Sequence, residues 1–354
     1  MKFNKSFALG RRMISQDHPP FIVAEISANH NGSLEEAKGL IMTAAHRGAH
    51  AVKMQSYTAD TMTIQCGRKD FQITQGPWAG YNLYDLYKEA QTPFEWHHDL
   101  FEFAKQNSIT LFSTPFDETA LELLERLGAP AYKIASFELT DTVLLEEVAK
   151  LRKPVFISTG MADPTEIGEA LEIFANQDCR DLLVFHCVSS YPAPYEQANL
   201  LTMQWLKDEF NVLVGLSDHT LGNAVPVAAA ALGAAAIEKH FIRSRGEGGL
   251  DSAFSIEPSE LEELVQQTQI AFRARGEYTS PVRLDCEAAS IIFRRSLYFS
   301  IDLKEGDVVT EGAIRRVRPG YGLSIRRIKE VIGSRVTRDI FAGEPVTEES
   351  LENI

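Results

Sequence analysis

The feature that most constrains this chain is a unit that recurs eight times: a short apolar, β-rich run, a turn, then an amphipathic helix. The runs lie at 21–26, 51–55, 110–114, 131–135, 155–159, 182–188, 213–217 and 235–240. They are mostly continuous rather than alternating, as parallel strands covered on both faces are. Helical patterns fall at 34–46, 93–107, 118–127, 144–150, from 164 onward, and at 203–210, 224–232 and 258–273. Ser33 with Glu36 reads as a capping box opening the first helix, and Gly48 as its stop. Asp163, Pro164 and Glu166 supply an N-cap, a first-turn proline and an acidic third position. Eight strands alternating with eight helices predict an α/β fold, a (β/α)8 TIM barrel, over an open doubly wound sheet. No GxGxxG follows the first strand, which further disfavours a dinucleotide-binding fold.

Two stretches break the rhythm. Residues 56–92 are long for a βα loop and carry Tyr57, Phe71, Trp78, Tyr81, Tyr84 and Tyr87. Such a loop at a barrel mouth is expected to be a lid or substrate wall, or an extra helix packed on the rim. Beyond about residue 280, RRSLYFSIDLKEGDVV and RDIFAGEPV place charged or Gly-containing turns between β-rich runs. With 354 residues, the chain suits a barrel of roughly 250 residues plus a smaller unit. The expected division is a barrel domain over 1–273, a linker over 274–283 and a small β-rich domain over 284–354.

Charge and cysteine usage narrow the function classes. The formal net charge of −14 argues against a general nucleic-acid or anionic-membrane binder. The first residues, MKFNKSFALGRRM, lack a secretory pattern, and no apolar run approaches the ~20 residues of a membrane span. Cys66, Cys179, Cys187 and Cys286 form no CxxC pair, so a reducing cytoplasm is the expected compartment.

Barrel chemistry is carried at the C-terminal ends of the strands. In order, these ends hold Glu25; Lys53 and Gln55; Ser113 and Thr114; Lys133 and Ser136, with Glu138 just beyond; Ser158, Thr159 and Gly160; His186 and Ser189; Asp218 and His219; and Glu238, Lys239 and His240. Polar groups at every strand end are expected to converge on one pocket. Lys53 and Lys133, with the hydroxyls of Ser113, Thr114, Ser136 and Ser158, read as an anion cradle, or each lysine as one half of a salt bridge. His219 and His240 end adjacent strands and suit an open divalent-metal site such as Mn²⁺, with Mg²⁺ or Co²⁺ as alternatives. His186 reads as a hydrogen-bonded core histidine, and His97 and His98 as non-catalytic. Glu25 is expected to face the pocket opposite the lysines as a general acid or base, or else to pair with Lys53. Asp251, in GEGGLDSAF, reads as a substrate ligand or equally as a turn residue. Together these residues point to metal-assisted chemistry on a phosphorylated substrate, without specifying the reaction.

FIVAEISANHNG, VKMQSY, FSTPFD, YKIASFE, ISTGM, HCVSSYP, GLSDHT and EKHF, in that order, resemble the sialic acid synthase family. RRSLY and VRPGYG resemble that family's antifreeze-like (SAF) domain. The segments NLYDLYKEAQTPFEWH and DSAFSIEP are most similar to its pseudaminic acid branch, with the N-acetylneuraminate and legionaminate branches as alternatives. The resemblance implies condensation of phosphoenolpyruvate with an open-chain N-acylated hexose, giving a nine-carbon 2-keto acid and phosphate. It implies His219 and His240 as metal ligands and Lys53, Lys133, Ser136 and Ser158 as phosphoenolpyruvate contacts. It further implies Glu25 as acid/base, Gln55, Tyr191 and Asp251 as sugar contacts, and Arg318 as an arginine delivered by the partner subunit of a homodimer with exchanged C-terminal domains. Arg318 could instead belong to a basic surface run with Arg315 and Arg316. Ser189 stands where some sialic acid synthases carry asparagine, a departure that fits a different sugar. A related phosphoenolpyruvate–aldose condensation or a metal-dependent aldolase would suit the barrel alone but needs no second domain. A non-catalytic carbohydrate-binding protein would leave the strand-end Lys, Glu and His without a purpose.

Overall fold

The computed structural model describes residues 2–277 and 279–354, in two compact units divided after Gly276. The first opens with a hairpin that the strand pattern had not marked, β1 (Ser6–Leu9) and β2 (Arg12–Ser15), turning at Gly10 with φ +59°. Then follow β3 (Phe21–Glu25), α1 (Leu34–His46) and β4 (Ala51–Ser56). The long 56–92 segment contains two helices, α2 (Ala59–Met62) and α3 (Leu83–Ala90). The regular alternation resumes with α4 (Phe94–Gln106), β5 (Leu111–Pro115), α5 (Glu118–Arg126), β6 (Tyr132–Ile134), α6 (Thr142–Lys150) and β7 (Val155–Ser158). It continues through α7 (Pro164–Asn176), β8 (Leu182–Cys187), α8 (Thr202–Phe210), β9 (Leu213–Asp218), α9 (Ala224–Ala231), β10 (Ala236–His240) and α10 (Pro258–Arg275).

Strands β3 to β10 pair in parallel and in chain order, and β10 returns to β3, closing an eight-stranded barrel. Each expected strand lies within a residue or two of an observed one, because an apolar run buried on both faces leaves little freedom in where a parallel strand sits. Caps place the helices: Asp117 accepts from Thr119 and Ala120 N–H, Asp141 from Leu144, and Asp163 with Glu166 forms a complete capping box. At α1 only half of the expected box forms. Ser33 Oγ accepts from Glu36 N–H, but the Glu36 carboxylate turns to Arg243, 2.6 Å away, since an ion pair outweighs a bond to one backbone N–H.

The barrel interior is apolar at its N-terminal end. Phe21, Phe112, Phe156, Phe185 and Leu213 form one cluster with Phe7, Leu9 and Ile14 of the hairpin, which caps that end. Phe156 stacks between Phe112 and Phe185 at 5.4 and 5.7 Å and meets Phe7 edge-on at 6.0 Å. A second, larger cluster fills the layer between strands and helices. With its floor filled, the barrel offers polar chemistry only at the opposite end.

The second unit has its own core around Leu297, Phe299, Val309, Val336 and Val346. Its regular strands are β11 (Ser296–Phe299) and β12 (Ile314–Val317), paired antiparallel, followed by α11 (Ile328–Val331). Single bridges such as Leu303–Ile340 and Val336–Leu351 join the rest. Among the described residues, no helix is long and apolar enough to cross a membrane.

Candidate active site

Side chains alternate along a strand, so one residue in two points into a barrel. Counting on from Phe21, Ala51, Phe112, Ala131, Phe156, Phe185, Leu213 and Ala236 of the interior cluster, the inward positions toward the C-terminal ends are Glu25, Lys53, Gln55, Thr114, Lys133, Ser158, Cys187, Ser217, Glu238 and His240. The same parity sends Ser113, His186, Asp218 and Lys239 outward.

The contacts follow that parity and correct the expectation of a single converging set. Ser113 does not join the anion cradle. Its Oγ donates to Met54 O at 3.0 Å and lies 2.6 Å from Ser56 Oγ, which is 2.7 Å from His97 Nε2 on α4. His186 Nε2 lies 2.7 Å from Ala198 O, in the layer outside the barrel. Lys239 and Asp218 form a buried outward pair at 2.5 Å, and Lys239 also donates to Thr220 O at 2.6 Å. This pair grips the chain on either side of His219 and next to His240.

Inside the mouth, four buried charges form one cluster. Lys53 Nζ pairs directly with Glu25, donates to Thr114 Oγ1 at 3.1 Å and lies 3.8 Å from Glu238 Oε1. Lys133 Nζ lies 3.4 Å from the same Glu238 oxygen, and Ser217 Oγ donates to it at 3.2 Å. Glu25 therefore sits beside Lys53, not opposite the lysines, because β3 and β4 pair Glu25 with Lys53 in register. Burial pushes the Glu25 carboxyl above the usual range against the pull of Lys53. Burial would also raise Glu238, but Lys133 and Lys53 hold it below its ordinary value. Glu238 was passed over as a site residue, although it shares the parity of His240 two residues on. Cys187 was passed over too; burial would raise its thiol, yet the neighbouring His219 brings it down to about 7.

Next to Lys133 lies a small polar recess. Ser158 Oγ is buried without a hydrogen-bond partner. Ser136 Oγ accepts from Gly160 N–H at 3.0 Å. A Cβ on Gly160 would stand 2.1 Å from Ser189 Oγ and 2.8 Å from Ser136 Oγ, so three loops meet where only glycine fits. This geometry, two ammonium groups with hydroxyls and an N–H, suits an anion.

His219 and His240 face each other with ring centroids 5.4 Å apart. Nδ1 of His219 lies 3.0 Å from Val188 O, whereas Nδ1 of His240 is buried without a partner. Two ring donors, one of them orphaned, fit an open divalent-metal site. Among the described residues no set of three or more His, Cys, Asp or Glu is arranged around one ion, so further ligands would be water or substrate oxygens. Tyr191 packs on His219 at 4.4 Å, on Phe254 at 5.2 Å and on Trp78 at 5.5 Å, and the Trp78 indole N–H donates to Leu250 O at 3.0 Å. Asp251 accepts from Ser27 Oγ at 2.5 Å and approaches His240 at 3.7 Å, so it belongs to the site and is not merely a turn residue.

Part of this set borders a cavity of about 330 Å³ whose walls include Gln55, Glu138, Tyr191, His240, Asp251 and residues of the 56–92 insertion. Burial raises the Glu138 carboxyl to about 7, against the pull of Lys133. Arg318 is exposed directly after β12 in the second unit, as are Arg315 and Arg316.

Fold and site thus define a (β/α)8-barrel protein with a charged, aromatic-walled cavity at its C-terminal mouth. A family model described as NeuB family matches residues 40–280, and one described as SAF domain matches residues 294–352. A pseudaminic acid synthase of Campylobacter jejuni is 41% identical over 335 residues, covering 94% of this chain and 96% of the relative. One from Helicobacter pylori is 40% identical over 334 residues, covering 94% and 98%. A solved N-acetylneuraminic acid synthetase from Leptospira borgpetersenii, in complex with citrate, superposes with a TM-score of 0.73 at 32% identity, covering 82% of this chain and 96% of that one. The chain belongs to the NeuB family, the sialic acid synthases, and is an enzyme of sialic-acid-like sugar synthesis.

The raised Glu138 carboxyl sets a pH test. A carboxyl held at about 7 when folded, against an ordinary 4.5, contributes stability that is fully present below pH 4.5 and lost as pH rises through 7. Relative to Glu138→Gln, the ligand-free wild type is expected to lose ~2–3 kcal/mol between pH 5 and pH 8 in urea denaturation. Parallel pH profiles for the two proteins would contradict this.

Proposed function

We propose that this enzyme condenses phosphoenolpyruvate with an open-chain 2,4-diacetamido-6-deoxy hexose, giving a nine-carbon 2-keto acid of the pseudaminic acid type and phosphate. The observation that carries the reading is the buried pair Lys53 and Lys133, 3% and 2% exposed, at the same strand-end mouth as the buried, unpartnered Ser158 hydroxyl. Glu25 and Glu238 neutralise the two ammonium groups in the free site, while the orphan Ser158 hydroxyl is a buried polar group without a partner, a costly state that an incoming anion would relieve. The higher identity to pseudaminic acid synthases than to the N-acetylneuraminic acid synthetase supports the choice of sugar.

In the proposed reaction C3 of phosphoenolpyruvate bonds to the aldehyde carbon, water adds at C2, and cleavage of the C2–O bond expels phosphate. Two protons move: one from the attacking water to the new alkoxide, and one from the C2 hydroxyl to the departing phosphate. Lys53, Lys133, Ser136 and Ser158 hold the phosphate and carboxylate, with Thr114 steadying Lys53. Glu25, whose carboxyl burial pushes upward against the pull of Lys53, serves as the acid/base that gives the alkoxide its proton and recovers one from the water. Gln55, Glu138, Ser189, Tyr191 and Asp251 orient the sugar. A divalent ion, Mn²⁺ foremost with Mg²⁺ or Co²⁺ as alternatives, held by His219 and His240 with water or substrate oxygens, supplies Lewis-acid polarisation of the sugar carbonyl when bound. The proposed setting is the cytoplasm.

Phosphate release from phosphoenolpyruvate is expected with 2,4-diacetamido-6-deoxy-altrose in preference to N-acetylmannosamine, judged by kcat/KM. Chelation is expected to stop it and Mn²⁺ to restore it, while His240→Ala folds but does not turn over. Full turnover without metal would contradict the metal assignment. Equal or better use of N-acetylmannosamine would contradict the branch while leaving the family intact.

The second domain is proposed to serve a neighbouring copy, with Arg318 gripping an acyl carbonyl or carboxylate of the sugar bound in the partner's barrel, in a two-fold dimer. Glu25→Gln and Arg318→Ala are each expected to be inactive alone. Unfolded and refolded together, they form mixed dimers in which one site carries both lesions and the other neither, so activity partly returns. Mixed dimers that stay inactive would contradict the shared site.

A further inference from the structure

The short helix α3 does not spend its apolar face on the barrel core. Leu83, Leu86, Tyr87 and Ala90 recur at the spacing of a single helical face, and all four line the cavity at the barrel mouth. Asn82 caps the helix by accepting from Tyr84 N–H, and Tyr84 itself turns away, its hydroxyl donating to Asp60 at 3.1 Å. Met62, at the end of α2, and Ile73 extend the same wall. On the barrel side Phe116 closes it, packed edge-on against Tyr57 at 5.1 Å. The same cavity is also lined by the polar groups Gln55, Glu138, His240 and Asp251. One cavity therefore combines an apolar wall with polar side chains.

We propose that the apolar wall formed by Met62, Ile73, Leu83, Leu86 and Phe116 is the subsite for the C4–C6 portion of the sugar. It takes the C6 methyl and the methyl of a C4 acylamino group, and it selects against sugars hydroxylated there. The inference rests on the proposed reaction, which puts the aldehyde carbon at the strand-end histidines and lysines. An open chain starting at that floor runs outward to the rim, where the 56–92 insertion stands. None of the five side chains carries a donor, and the Met62 thioether is at most a weak acceptor, so a hydroxyl pressed against them gives up water and gains no strong partner. The expected discrimination is roughly 10–100-fold per misplaced hydroxyl. Methyl groups meet the opposite balance, removing their own surface and that of Leu83 and Met62 from water.

Met62→Gln and Leu83→Asn are near-isosteric changes that add hydrogen-bonding groups to this wall, and Tyr84→Phe serves as a control on the outer face of α3. The measurement compares 2,4-diacetamido-6-deoxy-altrose with N-acetylmannosamine by kcat/KM, by phosphoenolpyruvate KM, by melting temperature and by calorimetric Kd for each sugar. Met62→Gln and Leu83→Asn are expected to shrink the preference for the deoxy sugar by ~10-fold or more. The loss should fall on that sugar's KM, with melting temperature and phosphoenolpyruvate KM unchanged, and Tyr84→Phe should keep the wild-type preference. Folded Met62→Gln and Leu83→Asn that keep the wild-type ratio would overturn the subsite. If the wild type releases phosphate with neither sugar, the proposed reaction fails, and the ratio of calorimetric Kd values decides the subsite by the same criterion.

Discussion

The rest of the site depends on four charges buried together at the barrel mouth: Glu25, Lys53, Lys133 and Glu238. Burying an unpaired ion costs several kcal/mol even after relaxation, so none of the four can be read alone. Glu238 stands between the two lysines and Glu25 pairs with Lys53, and this mutual neutralisation lets two ammonium groups stay dry. Every other feature of the mouth is arranged around that cluster. The hairpin and the phenylalanine stack fill the opposite end of the barrel, so the cluster lies on a closed floor. The outward pair Lys239 and Asp218 fastens the strand ends that carry the two histidines.

Much of this was legible in the residues, and the gaps have physical reasons. Strand positions were legible because continuous apolar runs admit little slippage, and the helices because their caps are local. Which face each strand-end side chain occupies was not, since a run buried on both sides shows no alternation to read. Parity can be recovered only by anchoring each strand to an interior residue such as Phe112 or Phe156. That is why Ser113 was expected in the anion cradle and Glu238 was passed over. Glu25 was expected across the pocket because strand register is a tertiary fact, absent from any one segment. The β1–β2 hairpin was hidden by its charged residues, although Gly10-Arg11 is a two-residue turn with glycine in the first position. An extra helix on the rim was one of the alternatives for 56–92, and Asn82 marks where α3 starts.

The 56–92 insertion is where this barrel differs most from the bare alternation of strand and helix. A barrel mouth floored by charges can hold the phosphorylated partner of many reactions, and the floor alone says little about the second substrate. The wall does: α2 and α3 bring an apolar surface to a cavity that polar side chains also line. Division of labour between floor and wall is what lets one fold keep its anion site while the sugar changes. Ser189 lies close beside Gly160, where three loops converge.

The central claim is that the buried lysines, besides pairing with Glu25 and Glu238, are an anion receptor. Calorimetric titration of phosphoenolpyruvate into wild type and Lys133→Met tests it most directly, because binding is read without sugar or turnover. The account expects saturable binding to the wild type and a loss of at least ~30-fold in the folded variant, the scale for removing one buried charged partner. A folded Lys133→Met protein that binds phosphoenolpyruvate as tightly as the wild type would contradict it.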